Sequence, residues 1–77
     1  MKLKAAEKQA RKIFELKRGV YFVSVDKSKS IYLYRYDRPC KRGGAWWSSS
    51  DDSYAGGFAS EYTGKKHWTK AIRRFEV

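Results

Sequence analysis

The sequence predicts a small α+β domain with one N-terminal helix, an antiparallel sheet of three or four strands and a C-terminal helix, in the order α-β-β-β-(β)-α. Three observations lead there. Residues 2–18, "KLKAAEKQARKIFELKR", are mostly good helix formers with neither Gly nor Pro among them. Residues 20–25, "VYFVSV", and 31–37, "IYLYRYD", are rich in β-branched and aromatic residues and are joined by a short polar stretch, the signature of a hairpin. Near the C-terminus, Trp68, Ala71, Ile72 and Phe75 are spaced i, i+3, i+4, i+7, the period of an amphipathic helix. The 77 residues suffice for one domain spanning 1–77, with a thin core.

In the first segment Leu3, Ala6, Ala10, Ile13, Phe14 and Leu16 lie near one stripe, with Lys4, Lys8, Arg11, Lys12 and Glu15 on or near the opposite side. Glu7 and Arg11 form a favourable i,i+4 pair. Lys17 and Arg18 suit the negative end of the helix dipole, and Gly19 is a natural terminating residue.

In the second strand, Tyr32, Tyr34 and Tyr36 alternate and so share a face. Their neighbours on the first strand depend on hairpin register. An even-numbered loop sets them beside Tyr21, Val23 and Val25, and a three-residue loop sets them beside Val20 and Phe22. The connection "DKSKS" has no Gly to mark a turn type, so both registers stand. Both faces of the hairpin are largely apolar. Two helices of this length cover one face most easily, leaving the other as an interface for bases, a protein partner or a second copy of the chain.

"RPCKRGG" breaks the pattern at Pro39, Gly43 and Gly44. "AWW" then opens a third strand, in which Trp46 and Trp47 point opposite ways, one to the core and one outward. "SSSDDSYAGG" reads as a polar loop in which Asp51 and Asp52 are solvated turn residues. "FASEY" reads as a short fourth strand. The last helix is expected to start near Gly64, with Thr63 as its N-cap.

Chemistry-bearing residues are few. The one Cys, Cys40, and the one His, His67, lie 27 positions apart, and with Asp51 and Asp52 they show no metal-ligand spacing. No Gly-rich phosphate loop is present. No catalytic residue, metal or cofactor is therefore expected. A single cysteine excludes an intrachain disulfide and fits a reducing compartment. With no apolar run near the ~20 residues of a membrane span and no apolar signal segment, a cytoplasmic location without membrane association is expected.

Charge carries more information. Eighteen Lys and Arg against eight Asp and Glu leave a net charge of +10. No core requires that excess, and it points to an anionic partner. Lys4, Lys8, Arg11 and Lys12 cluster on the first helix. Lys65, Lys66, Lys70, Arg73 and Arg74 fall in the expected last helix, where Lys65 and Lys66 would meet the positive end of the dipole unless an anion docked there. Arg38, Lys41 and Arg42 flank the glycine-containing stretch before Trp46 and Trp47, an interleaving of cations and rings suited to phosphates and bases together. The expected function is non-enzymatic binding of nucleic acid, DNA or RNA. Phosphates would be held by Lys65, Lys66, Lys70, Arg73, Arg74, Arg38, Lys41 and Arg42, with stacking on Tyr32, Tyr34, Tyr36 and Trp46 or Trp47. The alternative is a protein-binding module or inhibitor, in the manner of small phage early proteins, docking on an acidic surface of a host or nucleic-acid enzyme. A homodimer through the uncovered sheet face is compatible with either.

In element order and in Lys65, Lys66 and Ala71, the chain resembles the double-stranded RNA-binding domain, which implies RNA contacts at the start of the last helix. It departs from that family in three places. The first helix lacks the family's acidic and glutamine features. The connection after the second strand is long. The last helix has no glycine-serine entry.

Overall fold

The computed structural model describes residues 1–47 and 51–77. Among these residues one helix, α1 (Leu3–Ile13), is followed by six strands: β1 (Val20–Val25), β2 (Ile31–Arg35), β3 (Cys40–Arg42), β4 (Ala45–Trp47), β5 (Tyr54–Gly57) and β6 (Ile72–Glu76). Short 3-10 turns occupy Asp51–Ser53 and Trp68–Lys70. The main sheet has the order β5-β2-β1-β6 with every neighbour antiparallel, and β3 and β4 form a separate two-stranded hairpin. The molecule is thus a small compact α+β domain.

The expected C-terminal helix is absent. Its place is taken by the 3-10 turn and by β6, which pairs with β1 through Tyr21↔Phe75, Val23↔Arg73 and Ser24↔Ile72. Gly19 and Val77 continue the ladder with two mutual hydrogen bonds of 3.0 and 2.9 Å. The physical reason lies in β1, where five of six residues are buried. A buried strand must pair its backbone groups on both sides, and β2 supplies only one side. With the helix gone, the resemblance to the double-stranded RNA-binding domain lapses too, since the element that Lys65 and Lys66 would open does not exist.

Strand alternation sorts β6 onto both faces of the sheet. Ala71, just before it, and Phe75 are buried on the side of α1. Arg73, between them, reaches the Glu7 carboxylate at 2.7 Å. Ile72 faces the other way.

Helix α1 is shorter than the expected 2–18. Its stripe narrows to Ala6 and Ala10, both fully buried, while Ile13 stays exposed. Phe14 is already extended and packs its ring against Phe58, with centroids 5.6 Å apart. Gly19 therefore does not cap the helix. It is a ladder residue.

The expected fourth strand "FASEY" is not a strand. β5 lies just upstream at Tyr54–Gly57, inside the stretch read as loop, and pairs with β2. Gly56 and Gly57 look like loop residues in sequence, but each sits under a ring. A Cβ on Gly56 would lie 2.4 Å from Phe14 Cε1, and one on Gly57 would lie 3.4 Å from the Tyr32 ring. These glycines permit close approach. The residues 48–50 of that loop lie outside the described residues. "RPCKRGG" likewise contains β3, and only Gly43 and Gly44 form the turn to β4.

Hairpin register is settled by a five-residue connection, since Val25 pairs with Ile31 and Phe22 with Tyr34. The odd count sets the tyrosines on the Phe22 face. In place of glycine, Lys29 adopts the positive φ the turn needs, 71°.

The sheet is covered on both sides, contrary to the expectation of a bare face. On one side α1 packs over Tyr21, Val23, Val25, Ile31, Leu33 and Phe75. On the other, the β3–β4 hairpin delivers Trp46 onto Phe22 and Tyr34. Trp46 is fixed by three hydrogen bonds. Its N–H donates to Asp26 Oδ1 (2.9 Å), its carbonyl accepts from the Tyr34 hydroxyl (2.8 Å), and its Nε1 donates to the Trp68 carbonyl (3.1 Å). Burial, reinforced by the Asp26 carboxylate and the neighbouring tyrosines, pushes the Tyr34 hydroxyl up to about 12.

Candidate nucleic-acid interface

The expected site residues are divided among several surfaces. Of the three tyrosines, Tyr34 is core, Tyr32 is half-buried, and Tyr36 is exposed beyond the end of β2 with a φ of 73°. They form no common platform. Of the tryptophans, Trp46 is the core residue and Trp47 the outward one, 57% exposed. Lys41 shares the inner side of the hairpin, its ammonium 5.9 Å from the Trp46 ring centroid, within cation–π range. Arg42 lies on the outer side, the side of Trp47. Arg38 is exposed just before β3, and Lys70 is exposed in the 3-10 turn. Arg73 and Arg74 point to opposite faces of β6, and their guanidinium groups pair with Glu7 and Glu76 respectively.

Lys65 and Lys66 behave differently. They sit on the irregular segment between β5 and the 3-10 turn, which the Tyr62 N–H ties to the Lys29 carbonyl (2.9 Å) and which further contacts hold. Tyr62, buried, accepts a hydrogen bond at its hydroxyl from the Lys66 N–H (3.2 Å). Gly64 lies flat on the same ring, where a Cβ would come within 2.4–2.5 Å of it. Met1 binds residues 61–63 from the other side, donating from its amino group to the Glu61 carbonyl and accepting from the Thr63 N–H (3.0 Å).

Two grooves flank this segment. The first, of about 360 Å³, runs between residues 64–68 and the β1–β2 turn, which contributes Lys27 and Lys29 opposite Lys65 and Lys66. Val25, Tyr62, His67 and Trp68 complete its lining. The second, of about 330 Å³, runs between Lys65 and Lys66 and the start of α1, where Lys2 and Leu3 lie, and reaches Arg73 on β6. Among the described residues no carboxylate lines either groove. The pair of lysines does therefore sit at a helix N-terminus, but at that of α1. Lys2 offers no side-chain cap there, and the first turn holds no acid.

The arrangement gathers five lysines and Arg73 from four separate stretches of chain. Lys2, Lys27 and Lys29 were not expected at this site. Lys27 and Lys29 carry no motif and look like ordinary turn residues. The pairing of β1 with β6, together with a bond from the Tyr62 N–H to the Lys29 carbonyl (2.9 Å), brings them to Lys65 and Lys66. A third groove, lined by Lys17, Arg18, Arg35 and Tyr36, also contains Glu15 and is of mixed sign.

For other chemistry the geometry offers little. Cys40 is exposed on the hairpin. His67 is engaged with Thr69, its Nδ1 lying 2.8 Å from the hydroxyl oxygen and accepting from the Thr69 N–H (3.4 Å). Among the described residues no three His, Cys, Asp or Glu side chains are grouped to hold a metal ion. No described helix is long and apolar enough to cross a membrane. The chain matches no protein-family model, no curated protein and no solved structure.

Proposed function

We propose that this chain is a non-enzymatic nucleic-acid-binding protein that holds backbone phosphates along the two grooves beside Lys65 and Lys66. The observation that carries this reading is the lining itself: Lys2, Lys27, Lys29, Lys65 and Lys66 line the two grooves with no carboxylate among the described lining residues, beside Arg73, whose guanidinium is held by Glu7. Collecting like charges costs self-repulsion, which an anion would relieve. The start of α1, where Lys2 makes no side-chain cap, borders the second groove, and helix N-termini favour anions.

The test is binding to mixed DNA and RNA across a salt series. Affinity should fall steeply with salt, because each neutralised phosphate releases counterions. Lys65→Glu with Lys66→Glu should weaken binding more than Lys4→Glu with Lys8→Glu, and should lower the salt slope by about 2, one per lost contact. Both double variants change net charge equally, so equal losses would indicate a diffuse basic surface without a site. A second reading has one observation in its favour. Trp47, exposed beside Arg42 on the outer side of the hairpin, suits the aromatic centre and Arg rim of a protein interface. Absence of any nucleic-acid binding at low salt would leave that reading, an acidic protein partner, as the better account.

A further inference from the structure

Resting on the phosphate-binding reading above, we infer that the groove between the β1–β2 turn and residues 64–68 accommodates an unpaired nucleotide, so that the ligand is single-stranded nucleic acid. The groove is lined by lysines from two stretches of chain, Lys27 and Lys29 of the β1–β2 turn and Lys65 and Lys66 of the later segment. A duplex can lie across such a feature but cannot enter about 360 Å³ of space. A single nucleotide can, and pockets of roughly 300 Å³ and upward are the size that encloses small ligands.

Besides the lysines, Val25 and Gly64, the groove is lined by the aromatic side chains of Tyr62, His67 and Trp68. His67 and Trp68 stand with ring centroids 6.1 Å apart and planes inclined at 37°. Neither ring is loose. Trp68 packs against both cores and its carbonyl accepts from Trp46, while His67 is tied to Thr69. Rings fixed in advance lose little side-chain entropy when a base stacks on them. Phosphates held by lysines with bases laid on aromatic rings is the physical arrangement of single-strand binding.

Charge alone argues the other way, which makes the inference testable. Duplex DNA carries the denser charge and releases more counterion per contact. A merely basic surface therefore prefers duplex. Preference for a single strand requires that bases be touched.

The experiment compares, at one salt concentration, a short labelled DNA strand, the same strand as RNA, and the duplex of that sequence, by fluorescence anisotropy. The single strands should bind about tenfold tighter or more than the duplex, the worth of one stacked base. Lys27→Glu with Lys29→Glu should weaken strand binding as much as Lys65→Glu with Lys66→Glu, since both pairs line the groove. A strand carrying 5-iodouracil should photocross-link within residues 62–68. Duplex binding as tight as strand binding, or cross-links confined to Trp47 or Tyr36, would overturn the single-strand inference while leaving the phosphate-binding function in place. No binding to any of the three nucleic acids would overturn both.

Discussion

The two faces of the central sheet are covered by different means. On the helix face the contact is smooth. Ala6 and Ala10, fully buried, let α1 lie close over Val23, Val25, Ile31 and Leu33, which are fully buried as well. Polar contacts there run along the rim, with Glu7 between Arg11 and Arg73, and Arg11 donating to the Glu76 carbonyl at 2.7 Å. On the hairpin face the contact centres on one large anchor, beside a 2.8 Å bond from the Lys27 N–H to the Gly44 carbonyl. β3 and β4 have three residues each, too few to hold a hairpin in place on their own. Trp46 fixes them through its ring and its three hydrogen bonds. A helix can be held by non-directional burial because it is already ordered by its own hydrogen bonds. A short hairpin needs directional ones.

The largest effect that separates these modes is deletion against addition. Trp46→Ala should cost about 3–5 kcal/mol, as large-to-small core changes do, and should release the hairpin. Ala10→Leu should cost about 1–3 kcal/mol, because added methylenes have no room under α1. Urea denaturation of both variants measures the two costs. Near-parental stability of Trp46→Ala would show that the hairpin is not anchored there, and a neutral Ala10→Leu would show that α1 is not closely seated.

A smaller effect sharpens the helix side. Gly56→Ala puts a methyl group 2.4 Å from Phe14 Cε1 and 3.0 Å from its Cζ. The expected cost is about 1–3 kcal/mol, and Phe14→Leu in the same chain should return part of it. Thermal melts of the single and double variants test this as a cycle. If Gly56→Ala alone is neutral, the Phe14 ring swings aside freely and the end of α1 is not part of the close packing.

Elements ordered by local contacts could be read from the residues beforehand, and those held by distant partners could not. The α+β class, α1, β1, β2 and the strand character of "AWW" were legible because each rests on local propensity and period. The parity of Trp46 and Trp47 was legible too, but not its sense, which depends on where the hairpin docks. The last segment was misread because Ala71 and Phe75 are four apart. That spacing shares a face on a helix and equally on a strand, where Arg73 falls between them and is paired with Glu7. β5 was hidden because its glycines answer to Phe14 and Tyr32, residues far away in sequence. At the candidate site, Lys65 and Lys66 stood out through an assumed helix dipole. The lysines that accompany them, Lys2, Lys27 and Lys29, arrive only through tertiary pairing, which leaves no local trace.

The smallest effect concerns pH and has opposite sign on the two faces. Burial raises the Glu7 carboxyl, but hydrogen bonds from Arg73 and Arg11 outweigh it and hold the group below its usual value. Its folded pKa is depressed, so its contribution to stability is complete above the unfolded value and is lost as pH falls through the folded one. Asp26, behind Trp46, is raised by burial, which the Trp46 N–H only partly opposes. An acid whose folded pKa is raised carries a penalty while ionised, and that penalty disappears as pH falls through the folded value to the unfolded one. The melting-temperature difference between the parent and Glu7→Gln should therefore move against the parent on acidification from pH 6 to 3, as an order-of-magnitude window for carboxylates of roughly ordinary pKa. The difference between the parent and Asp26→Asn should move in the parent's favour over the same range. Other titrating groups act on parent and variant alike and cancel in each difference. Slopes of the same sign would mean that the two carboxylates do not report the two modes of attachment, a cation-paired rim on one face and a partly desolvated anchor on the other.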